Sequence, residues 1–124
     1  MTRSIPFPRF RTKSELDSLE TFLIKRVERT VENGLLFLIV LKLLARKPMS
    51  ASEIRRAVSK RGFSQPHYTT LHTQLSVLET MKLIEKEKVG KGHSKPLHIT
   101  EKGLIVLTRG EKHLKNLVAR LTNL

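Results

Sequence analysis

The sequence predicts a mostly α fold with one small β-hairpin. Three observations predict it. Apolar residues recur at helical spacing in segments that open on capping residues. Two short alternating runs, "LIEKEKV" and "PLHIT", flank a loop containing two glycines. The chain has 124 residues, of which 39% are apolar and 28% charged, enough for one core but not for two.

The first thirteen residues read as a basic flexible arm. Pro6 and Pro8 oppose regular structure, and Arg3, Arg9, Arg11 and Lys13 make the segment cationic. Residues 14–124 read as a single domain. Ser14 is the expected N-cap of a helix over 14–33, with Glu15 and Asp17 complementing its dipole. Leu16, Leu19, Leu23 and Val27 form its apolar face, and Gly34 is expected to end it in a left-handed conformation. "GLLFLIVLKLLA", Gly34 to Ala45, is too short to span a bilayer, which needs about 20 apolar residues, and reads as a buried helix stopped by Pro48.

"SASE", Ser50 to Glu53, is a capping box. The helix it opens ends at Gly62, with Ile54, Ala57 and Val58 inward and Arg55, Arg56, Lys60 and Arg61 in solvent. Ser64 is the expected cap of the next helix, with Pro66 near its first turn. Tyr68, Leu71, Leu75, Leu78 and Met81 make one apolar stripe. Thr69, Thr73, Ser76 and Thr80 lie opposite, with Thr70 and His72 on the flanks. The hairpin follows, and Gly90 and Gly92 let its turn bend. Thr100 caps a last helix over 101–124, with Glu101 in its first turn. There Leu107, Leu114, Leu117, Leu121 and Leu124 follow a short heptad pattern, interrupted by Gly110. The expected division is thus an N-terminal helix (14–33), a core (35–100) and a C-terminal helix (101–124).

The formal net charge is +13, from 24 Lys and Arg against 11 acids, which favours a polyanionic partner. Nucleic acid comes first and a membrane surface second. Other classes are disfavoured. With no cysteine, disulfide frameworks and thiolate metal sites are excluded. His67, His72, His93, His98 and His113 form no i, i+4 pair, so no metal site is expected. Asp17 is the single aspartate, the glutamates are scattered, and no serine sits in a nucleophile elbow, so no enzyme is expected. The glycines of "VGKGHSKPLHITEKG" are too close together for a phosphate-binding P-loop, and a strand follows them. No cofactor is expected. "MTRSIPFPRF" lacks the apolar core of a signal peptide, which points to a cytoplasmic, nucleoid-associated protein. Abundant Glu and Lys without Cys or Trp suits a thermophilic archaeal source.

Three helices followed by a two-stranded wing describe a winged helix-turn-helix. "TLHTQLSVLETMKLIEKEKVGKGHSKPLHITEKG" is similar to the PadR-like family of transcriptional regulators, and "LLARKPMSASEIRRAVSKRG" resembles the first half of many winged-helix regulators. The likeness covers about residues 35 to 108. The Tyr-Pro pair usual after the first leucine of the family's recognition helix is here His72 and Thr73.

The resemblance and the charge together imply a transcriptional regulator that binds double-stranded DNA sequence-specifically as a homodimer. Thr69, Thr70, His72, Thr73 and Ser76 of the recognition helix are expected in the major groove. Arg55, Arg56, Lys60 and Arg61 are expected to anchor phosphates. The wing would contribute Lys88, Lys91, His93 and Lys95, and the arm Arg9 and Arg11. Leu16, Leu19, Leu23, Leu107, Leu114, Leu117 and Leu121 are the expected dimerisation residues. The chain leaves little room for a separate ligand domain, so a small-molecule effector would use the dimer interface. Two alternatives stand beside this reading: an abundant, weakly specific DNA- or chromatin-binding protein, and a winged-helix module for protein–protein contact.

Overall fold

The computed structural model describes residues 13–87 and 95–124, with side chains from Asp17 onward in the first segment. Its elements are α1 (Lys13–Arg46), α2 (Ala51–Lys60), α3 (Tyr68–Thr80), β1 (Ile84–Lys86), β2 (Leu97–Ile99) and α4 (Glu101–Thr122). Mostly helical with one two-stranded antiparallel hairpin, the chain has the expected fold class. α2, α3 and the hairpin follow one another in the order of a winged helix-turn-helix. The chain divides into two compact units, one ending at Val31 and the other spanning Glu32–Leu124.

The helix break expected at Gly34 is absent. α1 runs through it, and Gly34 is not among the residues with positive φ. A glycine inside a helix costs only about 1 kcal/mol. The buried apolar residues that follow outweigh that: Leu36, Val40, Leu41, Leu43 and Leu44 are all in the core. In the first unit, Phe22, Leu23, Ile24, Val27 and Val31 are exposed.

The second unit holds the core. Val40 and Leu41 of α1, Ile54 and Val58 of α2, Leu71 of α3 and Ile84 of β1 are almost wholly buried, and Leu97 and Leu107 close it from β2 and α4. The Ser50 capping box forms in both directions: Glu53 N–H donates to Ser50 Oγ, and Ser50 N–H donates to the Glu53 carboxylate. Gly62 has φ +87°, the left-handed turn that lets the chain leave α2.

Ser64 does not cap α3. The N-cap is His67, which makes no side-chain cap bond. Pro66 explains the delay, since it forces its predecessor away from helical geometry. Two members of the predicted apolar stripe also leave the core. Leu71, Leu75 and Leu78 are buried, but Tyr68 is 54% exposed and Met81 52%. They occupy the two ends of the helix, beyond the edges of the core. α3 then closes through Lys82, at φ 62°, with Leu83 N–H bonded back to Leu78 O and Lys82 N–H to Glu79 O. That is a Schellman closure with lysine where glycine is usual.

The hairpin pairs Ile84 with Ile99, Glu85 with His98 and Lys86 with Leu97. Met49 adds an unexpected third edge: its N–H and C=O both bond to Leu97, at 3.1 and 2.7 Å. The Thr100 hydroxyl accepts from Gly103 N–H, and its proton faces the carbonyls of Lys82 and Leu83. α4 is thus fixed to the start of β1. Leu107, expected in a dimer seam, is 5% exposed and belongs to the chain's own core. Gly110 interrupts the heptad because it lies against the Leu38 side chain.

Candidate nucleic-acid interface

α3 owes its outward face to its inward one. With Leu71, Leu75 and Leu78 buried, Thr69, His72, Thr73, Ser76, Val77 and Thr80 are left exposed, and Thr70 half-buried. The expected contact residues Thr69, His72, Thr73 and Ser76 therefore share the surface of one helix. No lysine or arginine lies on α3. Two of its hydroxyl protons are already committed: Thr73 donates to Thr69 O at 2.9 Å, and Thr80 to Ser76 O at 2.8 Å.

Cations lie on the elements before and after α3 in the chain, although Arg61 lines a separate cavity with Leu38, Leu43 and Leu107. On α2 and its C-cap, Arg56, Lys60 and Arg61 are exposed and, among the described residues, make no side-chain hydrogen bond or ion pair. Arg55 departs from the expectation of a solvated anchor. It is half-buried, its Nε donates to Pro66 O at 2.9 Å, and its guanidinium lies 5.9 Å from the centroid of the Tyr68 ring. The Tyr68 ring in turn meets His72, with centroids 4.3 Å apart. Arg55 thus ties α2 to the segment before α3 by a hydrogen bond and to the first residue of α3 by a cation–π contact.

A groove of about 400 Å³ separates the start of α2 from α3 and the hairpin, lined by Ser50, Ser52, Tyr68, His72, Ser76, Lys86 and Lys95 among others. Lys95, the one expected wing residue that is described, is exposed at this groove. Lys86 joins it there, 3.9 Å from Glu79, an exposed ion pair of little energetic weight. The backbone and side-chain bonds from Ser50 hold the Glu53 carboxyl below the ordinary glutamate range. Arg9, Arg11, Lys88, Lys91 and His93 lie outside the described residues, as does the Leu16 side chain.

Sequence reasoning missed Tyr68 and Val77 as surface groups. Tyr68 sits three residues before Leu71, a spacing that fits the core stripe equally well. Val77 was legible, since Thr69, Thr73 and Val77 recur every four residues along the outward face.

Of the remaining expected dimerisation residues, Leu19 and Leu114 are half-buried, and Leu23, Leu117 and Leu121 are exposed, Leu121 at 69%. Val118 joins them on the surface of α4. Among the described residues no cluster of His, Asp or Glu is placed to hold a metal ion. No helix among them is long and apolar enough to cross a membrane.

Comparison with known proteins places this geometry. A PadR family regulator from Eggerthella lenta superposes with a TM-score of 0.69 at 22% identity, over 89% of this chain and 95% of that one. A PadR-like regulator from Bacillus cereus gives 0.65 at 24% identity, over 73% and 90%. A transcriptional regulator from Sulfolobus solfataricus gives 0.62 at 21%, over 93% and 86%. These likenesses establish the shared fold. Among curated proteins no relative matches. The family model described as "Transcriptional regulator PadR-like family" matches residues 40–109. That match spans more than half of the 124 residues, and the chain belongs to the PadR-like family of transcriptional regulators.

Proposed function

We propose that this chain is a homodimeric regulator of transcription that binds double-stranded DNA at preferred sites, without catalytic activity or a cofactor, in the compartment that holds the DNA. The observation that carries the reading is the uncharged, hydrogen-bonding face of α3 together with the exposed cations Lys86 and Lys95 at the groove beside it. A major groove takes the first, and the flanking phosphates take the second. Thr69, Thr70, His72, Thr73 and Ser76 are the proposed base-side contacts. Arg56, Lys60, Arg61, Lys95 and Lys86 are the proposed phosphate contacts, with Lys88, Lys91, His93, Arg9 and Arg11 added from the sequence. Arg55 serves as a positioning residue for α3. The proposed dimer contacts are Leu16, Leu19, Leu23, Leu114, Leu117 and Leu121. They draw support from the exposed apolar side chains of α1 and α4, which a second copy would cover. The proposed division of the chain keeps the arm (1–13), a winged-helix core (35–100) and terminal helices that dimerise.

Footprinting on genomic fragments across a salt series tests this. The expected result is protection of discrete two-fold sites, with affinity falling steeply as salt rises. The absence of any α3 cation favours a second reading, a weakly specific DNA-coating protein. Protection spread evenly along every fragment, fading as salt rises with no discrete site emerging, would establish it in place of the first.

A further inference from the structure

The outward face of α3 carries more than hydroxyls. Thr69, Thr73, Ser76, Val77 and Thr80 fall at i, i+4, i+7, i+8 and i+11, one continuous stripe. Thr73, Ser76, Val77, Thr80 and Met81 line an open depression on it, and Val77 and Met81 are exposed. The bonds from Thr73 to Thr69 O and from Thr80 to Ser76 O fix both threonine rotamers. What those threonines offer an outside partner is a methyl group and hydroxyl lone pairs, not a proton.

Chemistry then narrows the partner. Guanine presents two acceptors in the major groove, N7 and O6, and is best read by Arg or Lys. α3 has neither, and its one glutamine is half-buried. Thymine presents a 5-methyl group, which is read by apolar contact, threonine methyls included. Adenine and cytosine offer amino donors, which suit the lone pairs of Thr73 and Thr80. Lys86 and Lys95, exposed at the groove beside α3, suit the phosphates that flank such a site.

We propose that the stripe Thr69–Thr73–Val77–Thr80 reads thymine 5-methyl groups, so that this chain prefers A·T pairs under α3. The inference rests on the reading that α3 enters the major groove of a duplex.

The test compares two duplexes by fluorescence anisotropy with the full chain. One alternates adenine and thymine, and the other carries deoxyuridine at every thymidine. Phosphates and minor-groove edges are the same in both, and only the methyl groups differ. The expected result is tighter binding of the thymidine duplex, by about fourfold for each methyl contacted. Thr73→Ser, which removes one methyl and keeps the hydroxyl, and Val77→Ala should both shrink that ratio. Both sites are exposed, so neither change threatens the fold. Equal affinity for the two duplexes overturns the inference and leaves DNA binding standing. A ratio unchanged in both variants overturns the assignment to α3. Binding to neither duplex overturns the underlying reading, and the inference with it.

Discussion

A methyl group added at each of three helical glycines should have three different outcomes, and the surroundings set each one. At Gly34 in α1 nothing beyond the local backbone of the helix lies within 4 Å of where a Cβ would sit, and φ is not positive. Gly34→Ala should therefore stabilise the protein by about 0.5–1 kcal/mol, the ordinary gain on replacing a helical glycine. Gly103 is the third residue of α4 and is buried. A Cβ there would run into the backbone carbonyl of Leu83 and approach Ile99 Cγ1 to 2.7 Å. That carbonyl accepts from Thr100 N–H at 3.0 Å and faces the Thr100 hydroxyl, so it cannot withdraw without loosening the helix cap. Overpacking costs about 1–3 kcal/mol and a weakened cap about 1 more, against a helix-propensity gain of about 1. The net expectation for Gly103→Ala is a loss of about 1–3 kcal/mol. At Gly110 the added group would meet Leu38 Cδ2 at 2.5 Å, the far end of a flexible side chain, so Gly110→Ala should fall between the two. Urea unfolding followed by far-UV circular dichroism reads all three. Protein concentration must be held fixed, because the proposed dimer would couple self-association to stability. In a thermal scan each kcal/mol should shift Tm by roughly 3–6 °C in a chain of this size. A Gly103→Ala protein as stable as the parent would refute the close approach of α4 to the start of β1. A destabilised Gly34→Ala protein would refute an uninterrupted α1.

Lys82 holds φ 62°, a conformation that penalises a Cβ by about 1–2 kcal/mol, so Lys82→Gly should raise the urea midpoint despite glycine's extra unfolded-state freedom. The Glu53 carboxyl is held below its ordinary value first by the Ser50 backbone N–H and then by the Ser50 hydroxyl. A depressed folded pKa contributes stability that is present in full above the unfolded value and lost as pH falls through the folded one. Glu53→Gln, which cannot ionise, should therefore flatten the acid limb of a stability–pH profile, and an unchanged acid limb would count against the capping box as its source. Lys60→Gln and Arg61→Gln should each reduce the slope of log affinity for duplex DNA against log salt by about 0.9, affecting all sequences alike. A slope as steep as the parent's would remove that residue from the phosphate contacts.

The local rules written in the residues determined most of the elements. The Ser50–Glu53 box, the Thr100 cap and the Gly62 turn each depend on a few neighbouring groups, and each forms where its residues stand. The Leu71–Leu75–Leu78 stripe likewise fixes which face of α3 is buried, and so which residues it exposes. Tertiary structure decided what depends on distant partners. Gly34 continues a helix because core leucines downstream outweigh its intrinsic preference, a sum that no short window contains. Tyr68 turns outward because α3 begins only after Pro66, whose carbonyl is held by Arg55 from the neighbouring helix. Leu107 goes to the core and Leu121 to the surface, though both fit one heptad, because the core has room for only the first turns of α4. Met49 joins the hairpin through Leu97, a pairing between positions far apart in the chain that leaves no periodic trace. Periodicity shows which side of an element is apolar, and only the assembled core shows how far along that side burial extends.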